Sequence, residues 1–155
     1  MSNGYSAPWN FSWVLPNELA ATSCPQTLDD LEFLKSEGIR HLVTLSPEYI
    51  PPIRHFNGIK WSYIPIEEFE PPTLEDMTNF IKICQEAKEN NEAVAVHCRA
   101  GRGRTGVMVA CYFVRFMDMA PDRAITNIRM MRPGSVETHK QERAVRDYRD
   151  LLRSK

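Results

Sequence analysis

At 155 residues, with 43% hydrophobic and 25% charged side chains, the chain has the size and composition of one ordinary globular domain. Folding a chain of this size buries about 68–70% of its unfolded surface, so it needs no disulfide or metal staple. Nineteen Lys and Arg against twenty Asp and Glu give a net charge of −1, which argues against DNA or a membrane surface as partner.

In chain order, residues 11–16 (FSWVLP) and 18–22 (ELAAT) read as edge strands. Leu28, Leu31 and Leu34 place a helix over 27–37, stopped by Gly38. Residues 39–46 form a strand, 47–58 a Pro-rich loop, and 60–66 another strand. Thr73, with Asp76 three residues on, caps a helix running to about Asn91. AVAVHC (93–98) is a short, continuously apolar strand of the kind buried on both faces. A Gly-rich turn leads into an apolar helix over 105–118, a second helix starts near Pro121, and a charged helix spans 136–153. This alternation predicts an α/β fold, a single domain over 1–155 with a central, mostly parallel sheet flanked by helices.

The longest apolar run, Val107 to Val114, falls far short of the roughly 20 residues of a spanning helix, so no transmembrane segment is expected. The first residues, MSNGYSAPWNFSW, lack the basic and apolar regions of a signal peptide, and a cytoplasmic or nuclear monomer is the expectation. Cys24, Cys84, Cys98 and Cys111 show no CxxC spacing, and the four His add no zinc pattern, so neither metal nor cofactor is expected. Cys84 and Cys111 lie among apolar residues and read as core, Cys24 as part of a Ser-Cys-Pro turn, and Trp13 and Trp61 as core aromatics.

The near-zero net charge hides a segregation. Residues 67–92 carry eight acids against Lys82 and Lys88, a net of −6. Residues 97–132 carry seven Arg against Asp118 and Asp122, a net of +5. Solvated helix faces account for most of these charges, but not for Arg99, Arg102 and Arg104 among glycines.

That cluster lies between the apolar strand and a helix, in His97-Cys98-Arg99-Ala100-Gly101-Arg102-Gly103-Arg104-Thr105-Gly106. Its GxGxxG spacing suits a dinucleotide loop, but no second strand with a ribose-binding acid follows. A Walker A loop is excluded because Val107, not Lys, follows Gly106. The remaining reading is Cys-x5-Arg. Such a loop turns successive N–H groups inward to make an anion nest at a helix N-terminus, around a sulfur held as thiolate. Arg104 supplies a planar fork for two phosphoryl oxygens. Ala100, Gly101 and Gly103 let the backbone approach the ligand closely. Thr105 donates its hydroxyl to the sulfur and eases its departure.

The stretch resembles the signature loop of the cysteine-dependent protein tyrosine phosphatases. Asn10-Phe-Ser-Trp-Val-Leu-Pro16 and Arg132-Pro-Gly-Ser-Val-Glu-Thr138 extend the resemblance to small atypical dual-specificity phosphatases of the VHZ type, over nearly the whole chain. The resemblance implies Cys98 as nucleophile, Arg104 as phosphate binder and Thr105 as assistant to thiolate release. It implies a general acid on a loop about 30 residues upstream, and alignment on Phe69-Glu70-Pro71-Pro72 places the family's Asp on Glu68, with Glu67 as fallback. His97, just before the nucleophile on the strand, is expected to order the loop by hydrogen bonding. Glu137 reads as a helix N-terminal carboxylate, or, as the resemblance implies, as a neighbour of the reacting groups near the active-site mouth. Arg99 and Arg102, at variable positions, are expected to set substrate charge preference. The expected activity is hydrolysis of phosphotyrosine, with phosphoserine or phosphothreonine, on a phosphorylated protein through a phosphocysteine. The alternatives are a phosphoinositide or RNA 5′-triphosphate phosphatase with the same loop, or a phosphate-binding module with weak catalysis.

Overall fold

A computed structural model describes residues 4–155; residues 1–3 of the expected domain and N-terminal stretch lie outside the described residues. Five strands, β1 (Ser12–Leu15), β2 (Leu19–Thr22), β3 (Ile39–Thr44), β4 (Lys60–Tyr63) and β5 (Ala93–His97), form one sheet in the order β1-β2-β5-β3-β4. β2, β5, β3 and β4 run parallel, and β1 joins the edge antiparallel to β2. The mostly parallel sheet matches expectation, with one correction. β2 is not an edge strand: parallel pairing to β5 places it inside the sheet, and all four of its residues are buried.

Alternation along the strands divides the core in two. Leu19, Ala21, Val94 and Val96 face a large cluster with helices α2 (Leu74–Glu89), α3 (Gly103–Met117), α4 (Pro121–Met131) and α5 (His139–Arg153). Ala20, Ala93 and Ala95 face a smaller cluster with Leu31 and Leu34 of α1 (Leu28–Ser36). Small residues on that face let a single helix pack closely. α3 is apolar almost all round and correspondingly buried from Gly103 to Val114. Each large side chain so buried contributes about 1.5–3 kcal/mol. Cys84 and Cys111 are in this core, as expected, and burial pushes both thiols up. No helix among the described residues is long and apolar enough to cross a membrane.

Helix ends decide where the chain has donors to spare. α1, α2 and α5 each start with a full capping box: Thr27 with Asp30, Thr73 with Asp76, and Thr138 with Gln141. α4 starts with Pro121 at its first position. α3 begins two residues earlier than the sequence suggests, and its N-cap, Arg102, makes no side-chain cap. Its first-turn N–H groups remain available to a ligand. α5 begins at His139 and not at 136, because residues 132–138 form a loop that lies against this same helix end.

Candidate active site

In an open parallel sheet, ligand-binding loops gather beyond the carboxyl ends of the strands. Here the segments after β2 (Ser23–Cys24), β3 (Ser46–Tyr49), β4 (Glu67–Glu70) and β5 (98–104) meet at that edge. The loop after β5 is held in a particular way. The Cys98 carbonyl accepts from His97 Nδ1 at 3.2 Å, Arg99 from the Cys24 N–H at 3.3 Å, and Ala100 from Asn10 Nδ2 at 3.0 Å. Gly101 accepts from Arg132 Nη2 at 2.8 Å, and Arg102 from the Gly106 N–H at 2.7 Å. All five carbonyls are thus tied to the scaffold. Because a trans peptide points its N–H opposite its C=O, the N–H groups of residues 99–103 turn the other way, toward the space over Cys98. Those of residues 99–102 donate to no described residue.

Gly101 adopts φ +75°, and a Cβ there would stand 2.6 Å from the Thr22 carbonyl oxygen and 2.7 Å from Arg132 Nη2. A Cβ on Gly103 would collide with the Glu137 carboxylate. Both glycines are required by close approach, at the base and at the rim of the loop.

Cys98 is 2% exposed, and Thr105 Oγ1 donates to its sulfur at 3.0 Å. Arg104, also buried, has five N–H donors, of which the protein uses three. Nη1 bonds Glu48 Oε1 at 3.0 Å and the Ile66 carbonyl at 2.8 Å, and Nη2 bonds Glu48 Oε2 at 2.6 Å. The Nε–H and the second Nη2–H remain, side by side on one edge of the guanidinium, as a fork for two oxygens. The same contact holds the Glu48 carboxyl below the usual carboxylate range.

His97 is fully buried, which depresses it to about 4 and keeps it neutral. A carbonyl only accepts, so the bond to the Cys98 oxygen assigns the ring proton to Nδ1, and Nε2 accepts from Thr44 Oγ1 at 2.7 Å. Cys24, in the Ser-Cys-Pro turn, supplies its N–H to the loop, while burial pushes its thiol up to about 12.

The two variable arginines have different settings. Arg99 bonds both Glu68 carboxylate oxygens at 3.3 Å and lies over the Tyr49 ring, 6.0 Å from its centroid. Arg102 lies 5.4 Å from the Trp9 ring centroid and has no carboxylate partner among the described residues. Trp9, Tyr49, Arg99 and Ala100 line a cleft of about 360 Å³ beside the loop.

Glu68 is half-buried at this mouth, whereas Glu67 is exposed. Gln141 ties the acid loop down by donating to the Glu70 carbonyl at 3.3 Å. Phe69 on that loop has φ +68°, and Val136 opposite has φ +57°. These are strained values for an aromatic and a β-branched residue, of the kind that collects around functional sites. The Glu137 carboxylate lies against Gly103 at the rim; burial, then the Glu68 charge, raise it above the usual range. Every residue expected at the site therefore lies at or beside the loop.

The sequence reading missed Glu48, Arg132 and Asn10 as contributors. Arg132 is buried and also binds Ser12 Oγ at 2.6 Å, joining β1 to the loop, and burial lowers it to about 10. Trp61 is 37% exposed and not core, because β4 is the edge of the sheet.

A family model described as "Swiss Army Knife protein, DSP-PTPase phosphatase domain" matches residues 8–145. The chain is 35% identical over 162 aligned positions to the protein tyrosine phosphatase domain-containing protein 1 of Mus musculus, covering 91% of this chain and 22% of that protein. To the protein of the same name from Bos taurus it is 29% identical, covering 91% and 20%. The chain thus spans about a fifth of the length of these relatives. Among solved structures, PTPMT1 in complex with PI(5)P superposes with a TM-score of 0.84 at 18% identity, covering 93% of this chain and 97% of that one. Human DUSP28 does so at 0.80 and 18%, covering 96% and 99%. These two likenesses show the shared fold.

Proposed function

The chain belongs to the DSP-PTPase phosphatase domain family, and from that premise we propose that it hydrolyses phosphate monoesters, phosphotyrosine foremost, through a phosphocysteine on Cys98. The observation that carries this reading is the loop's outward-tied carbonyls, which turn the N–H groups of residues 99–103 inward over a buried sulfur, with Arg104 held by Glu48 and Ile66 so that one edge stays free. A dianionic phosphoryl group is the ligand that such a nest and fork match.

In the first step the Cys98 thiolate attacks phosphorus, the S–P bond forms, and the ester P–O bond breaks. The leaving oxygen takes a proton from Glu68, which acts in its protonated form, with the Arg99 ion pair given up. The nest and Arg104 hold the three equatorial oxygens as charge spreads over them. In the second step water attacks the phosphocysteine and gives its proton to the Glu68 carboxylate. The S–P bond breaks, and the sulfur departs as a thiolate that accepts from Thr105. Thr105 supports a turnover enzyme over a pure phosphate binder, which has no use for leaving-group assistance at sulfur.

A second reading keeps this chemistry and exchanges phosphotyrosine for a polyanion such as a phosphoinositide. Its support is Arg102, which forms no ion pair among the described residues, whereas Arg99 is already paired with Glu68. The test compares Glu68→Gln with the parent enzyme on a phosphotyrosine peptide, a phosphoinositide and an aryl phosphate with a very acidic leaving group. Glu68→Gln is expected to slow the first two by about 10²–10⁴-fold and the last little, since that oxygen departs unprotonated. The basic limb of the pH–rate profile should flatten in the variant. Equal rates for Glu68→Gln and parent on the peptide, with Glu67→Gln impaired, move the acid to Glu67. A parent enzyme that prefers the phosphoinositide to the peptide selects the second reading.

A further inference from the structure

The hydrogen-bond chain that ends on the Cys98 carbonyl begins outside the site, on the edge strand. Trp61 on β4 stacks on Tyr63, with ring centroids 5.5 Å apart and planes 14° from parallel, and it remains partly open to solvent. Its indole Nε1–H donates to Thr44 Oγ1 at 2.7 Å, and Thr44 and His97 Nε2 are also 2.7 Å apart. Both inner residues are fully buried, so solvent does not compete for these contacts.

The ends of this chain fix its direction. An indole nitrogen only donates and a carbonyl oxygen only accepts. At one end the Cys98 oxygen demands a proton on His97 Nδ1, which leaves Nε2 as acceptor. At the other end the Trp61 N–H occupies one side of the Thr44 oxygen, so the hydroxyl proton turns away from it, toward His97. Each bond polarises the next, and the whole series favours one tautomer of one buried ring.

We infer that Trp61 is a positioning residue for the nucleophile: through Thr44 and His97 it holds the Cys98 carbonyl outward and thereby the Arg99 N–H inward. Core packing does not explain an indole here, because a half-open edge position needs no residue of that size. The link to catalysis rests on Cys98 being the nucleophile, but the hydrogen-bond relay itself does not.

Trp61→Phe keeps an aromatic ring to stack on Tyr63 and removes the N–H. In this variant kcat toward a small aryl phosphate is expected to fall a few-fold to about tenfold, the scale of one hydrogen bond, with KM little changed. The ¹⁵N shifts of the two His97 ring nitrogens should move toward each other as the second tautomer becomes populated. Thr44→Val should give the same change in shifts, Thr44→Ser should retain the parent values, and adding Trp61→Phe to Thr44→Val should cost nothing more. Unchanged His97 shifts in Trp61→Phe, or losses that add in the double variant, would overturn the relay. Moved shifts with an unchanged rate, in an enzyme that Cys98→Ser inactivates, would overturn its link to catalysis.

Discussion

Cys98→Ser is expected to lower turnover on the order of 10⁶-fold, the scale on which loss of a covalent nucleophile acts. A serine hydroxyl keeps its proton at neutral pH, and His97 is no base for it, because its ring faces the Cys98 carbonyl and Thr44, not the sulfur. The carbonyls of residues 98–102 are held from outside the side chain, so the nest survives the change. Inorganic phosphate should bind the variant at least as tightly as the parent enzyme, because a neutral hydroxyl replaces a group that opposes an anion. Calorimetric titration with phosphate beside steady-state rates checks both halves. Retained turnover would remove the nucleophile from Cys98, and lost phosphate binding would mean that the sulfur supports the loop.

Arg104→Lys is expected to cost about 10²–10³-fold in kcat, the scale seen when a donor to a developing charge is removed. The charge is kept, so a loss of this size isolates geometry. Arg104 spends three donors on Glu48 and Ile66 and still presents two in parallel. A Lys ammonium has three donors in all, on a flexible stem. If it stays with Glu48 and the Ile66 carbonyl, one donor remains for the phosphoryl group; if it turns to the phosphoryl group, it abandons Glu48. Rates on an aryl phosphate, with thermal melting as a control for folding, decide the matter. A rate within a few-fold of the parent would show that charge alone suffices.

Much of this site is legible in the sequence because its parts are contiguous. β5, the loop and α3 follow one another, and a buried strand running through glycines and arginines into an apolar helix has few other readings. The capping box of Thr73 with Asp76 is legible because the cap is a local arrangement between residues three apart. What stayed hidden is what folding brings from afar. Glu48 lies in a Pro-rich loop 56 positions from Arg104, and nothing in that loop's composition announces an ion pair. Asn10 and Arg132 do fall in segments quoted for their resemblance, yet their task, to take the carbonyls of Ala100 and Gly101, appears only once the chain is folded. The strand order is likewise a tertiary fact. LAAT is too short and small-sided to signal a central strand, and Trp61 reads as core until β4 is found at the edge.

The central claim is a covalent bond between Cys98 sulfur and phosphorus, and the most direct measurement catches it. Enzyme mixed with an aryl phosphate is quenched in acid during turnover, digested, and its peptides are weighed. The peptide containing Cys98 should carry one added phosphoryl group that is lost on iodine treatment, as an S–P bond requires and an oxygen ester does not. The same peptide from Cys98→Ser should carry none. A phosphoryl group on another residue, or turnover with Cys98 unmodified at every quench time, would contradict the account.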